Sequence, residues 1–574
     1  MNHPPVFGKG VVDRTPEVRR IACLPRRVWS DKDAASLARD MTRELKTPGG
    51  DMQLRPVQAI ALLEAMEQGG LFGPIRVGGG KTLLSLLLPK VLEAKRPILL
   101  LPAALIEKTK HERAALSRHW QLPTNLQIIS YELMGRVSAA EQLSYIQPDL
   151  IVADECHRLK NHRAGVTRRV TRYMKEHPNT KFCGISGTVM RKSLRDFGHI
   201  LRWALKDNAP IPLKEDELST WADALDEFAN PLQRVRPGAI FDLGARPAAA
   251  PDALSAARQI FQSRLLDTRG VVATGKDDEV GCSLYISALE YDLSVAADEH
   301  FKQLRETWTN SDGWAFSEAV ELWRHCRSLA LGFESIWDPR PPMEWLGARK
   351  TWASFVRETL SHSRTLDTEL QVAQACDAGR LPGAALEAWR AVRDKFTANP
   401  KPVWFDSSAL DVCVKWMSRH DGTAGRPAGI VWVEHVFFGR ALSKLTGAPY
   451  FGADGLDAED NSIVNVDGSK PIIASIAANS TGRNLQMFSA NLVTAPPPGA
   501  AGWEQLLGRT HRYGQTADEV TVEVLVGCKE HYDAFERARD GARAAADTLG
   551  HDQKLIVADV SFPSIQHKKG PRWG

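Results

Sequence analysis

Twice along the chain, short apolar runs alternate with stretches of helical periodicity, and this alternation limits the fold more than any other feature. The first set of runs falls at 98–101, 126–129, 150–153 and 182–185, with helical patterns at 82–94 and 103–118. A strand apolar at every position must be covered on both faces, and helices between such strands supply the cover by crossing over a parallel sheet. The pattern returns at 430–433, 471–475, 491–494 and 520–526, followed by an Ala- and Arg-rich helix over 529–549. The expected fold is therefore α/β, with two parallel-sheet lobes. The expected boundaries are an N-terminal extension over 1–50, a first lobe over 51–206, a mainly helical segment over 207–425, a second lobe over 426–550 and a basic tail over 551–574.

The segment between the lobes has a different character. Pro/Gly/Ala-rich joints at Arg236-Pro237-Gly238 and Arg246-Pro247-Ala248-Ala249-Ala250-Pro251 precede helix-like stretches that carry Trp308, Trp314, Trp323, Trp337, Trp345, Trp352, Trp389, Trp404 and Trp416. Such tryptophans can be platforms for stacking bases or the filling of a helical core. Their helical spacing favours the core, where large aromatics dominate packing.

Three local patterns carry chemistry. The first is Arg76-Val77-Gly78-Gly79-Gly80-Lys81-Thr82, entering a helix. Gly78, Gly79 and Gly80 let backbone N–H groups turn toward a phosphate chain, and the helix N-terminus favours negative charge. Lys81 can then reach the terminal phosphates and the Thr82 hydroxyl can ligate Mg²⁺. Ile75 stands where the longer GxxxxGK[ST] form has its first glycine. The second pattern is Asp154-Glu155-Cys156-His157, directly after an apolar run. Parallel sheets bind ligands at the carboxyl ends of their strands. Asp154 there can hold Mg²⁺, and Glu155 can orient or deprotonate an attacking water. The third is Gln505-Leu506-Leu507-Gly508-Arg509-Thr510-His511-Arg512-Tyr513-Gly514-Gln515. Arg509 and Arg512 share a helical face if the segment is helical, and guanidinium groups match phosphate geometry.

These residues resemble the Swi/Snf-type ATPases of helicase superfamily 2, most closely the short forms of bacteriophages and bacteria. Asp154 through Asn161 is similar to their DEAH box, and Gln505 through Gln515 to their QxxGRxHRxGQ motif. Leu54-Arg55-Pro56-Val57-Gln58 resembles the adenine-reading segment, Ile128-Ile129-Ser130-Tyr131-Glu132-Leu133 another common segment, and Ser186-Gly187-Thr188 the coupling motif. Ser480-Thr481-Gly482-Arg483-Asn484-Leu485 resembles the Gly-x-Gly-Leu-Asn-Leu motif of the second lobe. Cys156, Val189 to Lys192, Ser480, Arg483 and Ala495 to Pro498 depart from the family pattern.

The resemblance implies two RecA-like lobes and ATP hydrolysis with Mg²⁺, stimulated by nucleic acid, usually duplex DNA, with translocation along it. It implies that Gln58 reads adenine and that Lys81, Asp154, Glu155, Arg509 and Arg512 carry the chemistry, with Gln505 nearby. His157, Ser186, Thr188 and Gly482 would couple hydrolysis to the nucleic acid. A strand-separating DNA or RNA helicase shares all these motifs. An ATP-gated nucleic-acid clamp is the rival from another class.

A nucleic-acid track is less specific in the sequence. Arg168, Arg172 and Lys175 fall at i, i+4 and i+7 in a stretch without acidic residues, and Arg191 and Lys192 follow the coupling motif. Such a stripe can follow a phosphate backbone or simply face water. The tail His567-Lys568-Lys569-Gly570-Pro571-Arg572 is expected to be unstructured and to attract DNA. The formal net charge of +4 on 574 residues neither supports nor excludes such a partner, since charge placement matters more than the sum. The eight cysteines form no CxxC pair, so no zinc ribbon is expected. Scattered single thiols, the lack of a charged-then-apolar leader and the lack of an 18-residue apolar run point to a cytoplasmic protein without a membrane partner, and the resemblance implies the cytoplasm of a bacterium or a phage-infected cell.

Overall fold

The computed structural model describes residues 10–27, 31–75, 79–139, 141–187, 193–226, 234–248, 250, 252–274, 282–309, 316, 319–363, 365–397, 399–480, 482–512, 514–549 and 552–562. The chain is α/β and divides into two compact units. The first comprises Met1–Glu279, Thr359–Gln374 and Gly541–Gln553; the second comprises Val280–Glu358, Ala375–Asp540 and Lys554–Gly574.

The first unit is built on a five-stranded sheet of β1 (Leu71–Gly73), β2 (Pro97–Leu101), β3 (Gln127–Ser130), β4 (Leu150–Asp154) and β5 (Lys181–Ile185). Its order is β1-β5-β4-β2-β3, and every pair is parallel. Successive side chains of a strand point to opposite faces, and the two cores divide accordingly. Ile98, Leu100, Ile151 and Ala153 join one core, with the helices Gly165–Glu176, Gly198–Leu205 and Ala253–Leu266. Leu99, Leu101, Leu150 and Val152 join the other, with the helices Pro56–Gln68 and Lys81–Val91. Two-sided burial is why β2 and the middles of β4 and β5 are apolar. On the free side of β1 the chain returns as a single parallel bridge, Phe72 to Val271.

The second unit holds a seven-stranded sheet and a two-stranded antiparallel sheet. Its strands are β6 (Ser283–Glu290), β7 (Phe333–Trp337), β8 (Pro400–Trp404), β9 (Gly429–Val433), β10 (Tyr450–Phe451), β11 (Ile472–Ser475), β12 (Ala490–Val493), β13 (Glu519–Val526) and β14 (Asp559–Ser561). The large sheet runs β10-β11-β9-β12-β13-β6-β14, all parallel, while β7 and β8 pair antiparallel. Val431, Val433, Ile473, Leu492 and Leu525 pack against the helices Ser408–Arg419 and Val436–Thr446.

The expected mainly helical segment, 207–425, is not a body of its own. Its first part to Glu279 belongs to the first unit, Val280–Glu358 joins the second, Thr359–Gln374 joins the first, and the chain from Ala375 joins the second. β6 lies inside it and completes the large sheet, so the segment is an integral part of both units. Several of the tryptophans pack as core. Trp345, Trp352 and Trp416 are buried, and Trp345 packs edge-on against Trp337, Trp389 and Phe396 at 5.0–5.8 Å between ring centroids. Trp308 and Trp404 are partly exposed, and Trp314 lies outside the described residues. Among the described residues, no helix is long and apolar enough to cross a membrane.

Candidate functional site

The parallel order β1-β5-β4 places three strand ends side by side, and each carries one of the sequence patterns. β1 leads through Ile75 to Gly79 and Gly80, β4 ends in Asp154 and Glu155, and β5 leads to Ser186. The Ser186 backbone N–H donates to the Gly73 carbonyl at 3.0 Å and ties the end of β5 to the end of β1.

Lys81 is the first residue of the helix Lys81–Val91, with Gly80 as its N-cap. The Lys81 ammonium lies 2.9 Å from Glu155 Oε1, both side chains about one-tenth exposed. The Ser186 hydroxyl donates to the other Glu155 oxygen at 3.1 Å, and His157 Nδ1 lies 2.9 Å from Ser186 Oγ and 3.3 Å from Glu155 Oε2. Lys81, Glu155, Ser186 and His157 thus form one buried network. Burial pushes the Glu155 carboxyl up, but Lys81 and His157 outweigh it and hold it well below the usual carboxylate range. Asp154 goes the other way: burial, then the Glu155 charge, pushes it up to about 6. The same strand end thus carries two adjacent carboxyl groups with opposite proton affinities. The Tyr131 hydroxyl, from the segment after β3, donates to the Asp154 carbonyl at 2.7 Å. Tyr131 belongs to one of the resembling segments but escaped selection as a site residue, because its contribution is a contact to backbone.

Gln58 meets the glycine loop directly. Its Nε2 donates to the Gly80 carbonyl at 3.1 Å, and its Oε1 accepts from the Arg55 N–H at 2.9 Å. A Cβ at Gly80 would fall 2.2 Å from Gln58 Nε2 and displace it, and the φ of 76° is in the left-handed region, which favours glycine. Thr82 is the second residue of the helix. Its hydroxyl and the Asp154 carboxylate could serve Mg²⁺, an ion that keeps most of its ligands as water and phosphate. A buried, adjacent pair of carboxyl groups of which one is pushed toward neutrality suits a divalent cation. Gly78 and Thr188 lie outside the described residues.

The second unit gathers the other set. Gln505 and Arg509 lie on the helix Ala500–Thr510 and are largely buried. The Arg509 guanidinium donates to the Gln505 carbonyl at 2.8 Å and to the Arg483 carbonyl at 3.0 Å. Arg512 donates to the Asn484 side-chain oxygen. Gly482, with φ 74°, begins this stretch, so the 482–485 and 505–512 motifs are joined by hydrogen bonds. Asn491 on β12 accepts from both the Trp432 indole at 3.1 Å and the Thr510 hydroxyl at 3.2 Å, anchoring the motif helix to the sheet.

The basic stripe is different from a bare track. Arg168 and Arg172 converge with Arg169 on the buried Asp367 carboxylate at 3.6, 3.1 and 3.5 Å. Arg168 also donates to the Ser363 carbonyl. Lys175 is exposed. Arg191, Lys192 and the tail from His567 lie outside the described residues. Asp367 was not foreseen, since nothing in the sequence ties it to a helix some 200 residues earlier. No protein-family model matches the chain, and no curated protein matches it significantly.

Proposed function

We propose that the protein is an ATP-driven nucleic-acid motor of two RecA-like lobes, a Swi/Snf-like ATPase of helicase superfamily 2 acting on duplex DNA. The observation that carries the reading is the network of Lys81, Glu155, Ser186 and His157 at the ends of neighbouring parallel strands. It ties a phosphate-type lysine, a water-activating carboxylate and the coupling motif together through three hydrogen bonds.

In this reading the Gly79 and Gly80 backbone and the start of the helix Lys81–Val91 hold the phosphates, while Gln58 borders the adenine. Lys81 exchanges Glu155 for the terminal phosphates. Thr82 and Asp154 hold Mg²⁺, which when bound with ATP neutralises phosphate oxygens. Glu155, released from Lys81 and kept ionised by its neighbours, accepts a proton from the attacking water. Ser186 and His157 report the state of Glu155 to the coupling segment. Arg509 and Arg512 are assigned to the charge on the transferring phosphoryl group, a role worth about 10³–10⁵ in rate in related chemistry.

The test is steady-state ATP hydrolysis with Mg²⁺, alone and with matched duplex DNA, single-stranded DNA and RNA, using Glu155→Gln as the blank. Stimulation by duplex that is absent in the blank is expected. Stimulation confined to single strands or RNA would replace the duplex motor by an unwinding helicase, and hydrolysis unmoved by any of them would leave the clamp.

A further inference from the structure

Beyond the long helix Lys529–Leu549 the chain comes back to the helix that carries Arg509. Lys554 opens the short helix Lys554–Val557 and touches the motif helix at two places. Its backbone N–H donates to Glu504 Oε2 at 2.7 Å, and its ammonium lies 3.0 Å from His511 Nδ1. Glu504 and His511 are two helical turns apart, so a single residue grips one side of the helix at its middle and at its end. Buried His511 is the C-cap of that helix, and its N–H donates to the Leu507 carbonyl at 2.9 Å.

The geometry also decides the state of the imidazole. His511 Nε2 lies 2.9 Å from the Cys282 carbonyl oxygen. A carbonyl only accepts, so Nε2 carries the hydrogen. An ammonium only donates, so Nδ1 must present its lone pair to Lys554. Both nitrogens are satisfied only in the neutral Nε2–H form. The charged groups facing the ring are Lys554 and Glu504, with the Cys282 segment on the other side. Burial, then the Lys554 charge, lowers its proton affinity to about 4, against the Cys282 carbonyl and Glu504, which pull upward.

We propose that Lys554 is a positioning residue for the arginine motif: its bond to Nδ1, opposite the bond to the Cys282 carbonyl, locks His511 and so fixes the end of the helix from which Arg509 and Arg512 project. Its effect on turnover rests on the function proposed above; the lock itself does not. Lys554 lies outside every motif read from the sequence, and Cys282 precedes β6, one of the strands absent from the sequence pattern.

The experiment uses the full chain with isotope-labelled histidine side chains, and His511→Gln identifies the resonance. In the unmutated protein His511 is expected as the Nε2–H tautomer and neutral down to about pH 4. In Lys554→Met it is expected to take up its proton at higher pH, toward the ordinary histidine value of about 6.5. The kcat for nucleic-acid-stimulated hydrolysis should fall about tenfold, the size typical of losing an outer partner, with KM for ATP little changed. Lys554→Arg, which keeps a charged donor, should restore both. An unshifted titration in Lys554→Met overturns the proposal, as does an unchanged kcat. If Lys554→Met fails to fold, Lys554→Arg decides: a folded arginine variant with a raised His511 titration or a tenfold loss of kcat overturns it. If the unmutated protein hydrolyses no ATP, the proposed function falls, and the titration alone keeps or removes the lock.

Discussion

At the scale of single residues, the pair Lys81–Glu155 joins stability to chemistry. Glu155 sits in the left-handed region at φ 52°, ψ 47°, a conformation that costs a non-glycine residue about 1–3 kcal/mol and is common where a site needs a group aimed in one direction. Removing its charge while keeping its shape should separate binding from hydrolysis. Glu155→Gln is expected to lower the hydrolysis rate about 10²–10⁴-fold, the range of a lost general base, while a fluorescent nucleotide still binds. A variant that keeps more than about a tenth of the rate would take Glu155 out of the proton-accepting role. Lys81→Met should act on the fold as well, because it leaves the Glu155 charge buried without its cation. Breaking such a pair costs about 3–5 kcal/mol. Denaturant unfolding should therefore place Lys81→Met well below the parent, with Lys81→Met/Glu155→Gln recovering most of the difference. Equal midpoints for the single and double variants would mean that the pair contributes little.

At the scale of elements, the helix Gly165–Glu176 shows how a charge stripe can mislead. Its i, i+4, i+7 cations are compatible with a DNA track, yet Arg168 and Arg172 are spent, with Arg169, on Asp367. Asp367→Asn would leave three arginines crowded without a counter-charge, so hydrogen exchange along this helix should accelerate. Under the proposed function, Lys175, exposed at the helix end, is the member assigned to a phosphate. Lys175→Ala should weaken nucleic-acid binding uniformly across sequences and reduce the salt slope by about one, whereas Arg172→Met should chiefly lower stability. A salt slope unaltered by Lys175→Ala would remove the helix from the interface. The same contrast explains what the sequence made legible. β2, β4, β5 and β9 are apolar because they are buried on both faces, so local pattern and tertiary role coincide. β1 has three residues and β14 three, too few to display a period. β6 reads Ser-Leu-Tyr-Ile-Ser-Ala-Leu-Glu with only partial alternation, amid helical segments, and its place beside β13 is set by residues more than 200 positions away. The site residues Gln58, Lys81, Glu155, His157 and Ser186 were all readable because each sits beside a strand end or turn with its own local signature. Asp367 and Lys554 have none; only the folded chain brings them to their partners.

At the scale of the whole molecule, the two units should respond to acid in opposite directions. In the second unit, burial lowers His511 to about 4 and His531 to about 3, and His435 moves the same way, with Asp533 opposing them. An unfolded histidine binds its proton near pH 6.5, so stability here is present above that value and is lost as pH falls toward the folded values. In the first unit Asp154 and Asp226 are pushed up to about 6, chiefly by burial. An unfolded aspartate titrates near 3.9, so their contribution is present below that value and is lost as pH rises through 6. His199, lowered to about 3, offsets one of the two. Between pH 7 and pH 5 the second unit should therefore lose stability while the first gains, and peptides from the second unit should exchange amide hydrogens sooner at pH 5. The reverse order would contradict the assignment of these groups. The units are also interleaved along the chain: Thr359–Gln374 and Gly541–Gln553 belong to the first unit although long stretches of the second precede each of them. Asp367 neutralises the arginines of one helix, and the Ala546 carbonyl accepts from Gln262. For a chain emerging from the ribosome, this means that the unit begun first is among the last to be finished. Its glycine loop and the adjacent carboxylates Asp154 and Glu155 leave the exit tunnel hundreds of residues before Asp367 and Ala546 do. For most of that interval the nascent first unit has all five of its strands but lacks Thr359–Gln374 and Gly541–Gln553, so its final packing waits until most of the second unit has also been synthesised.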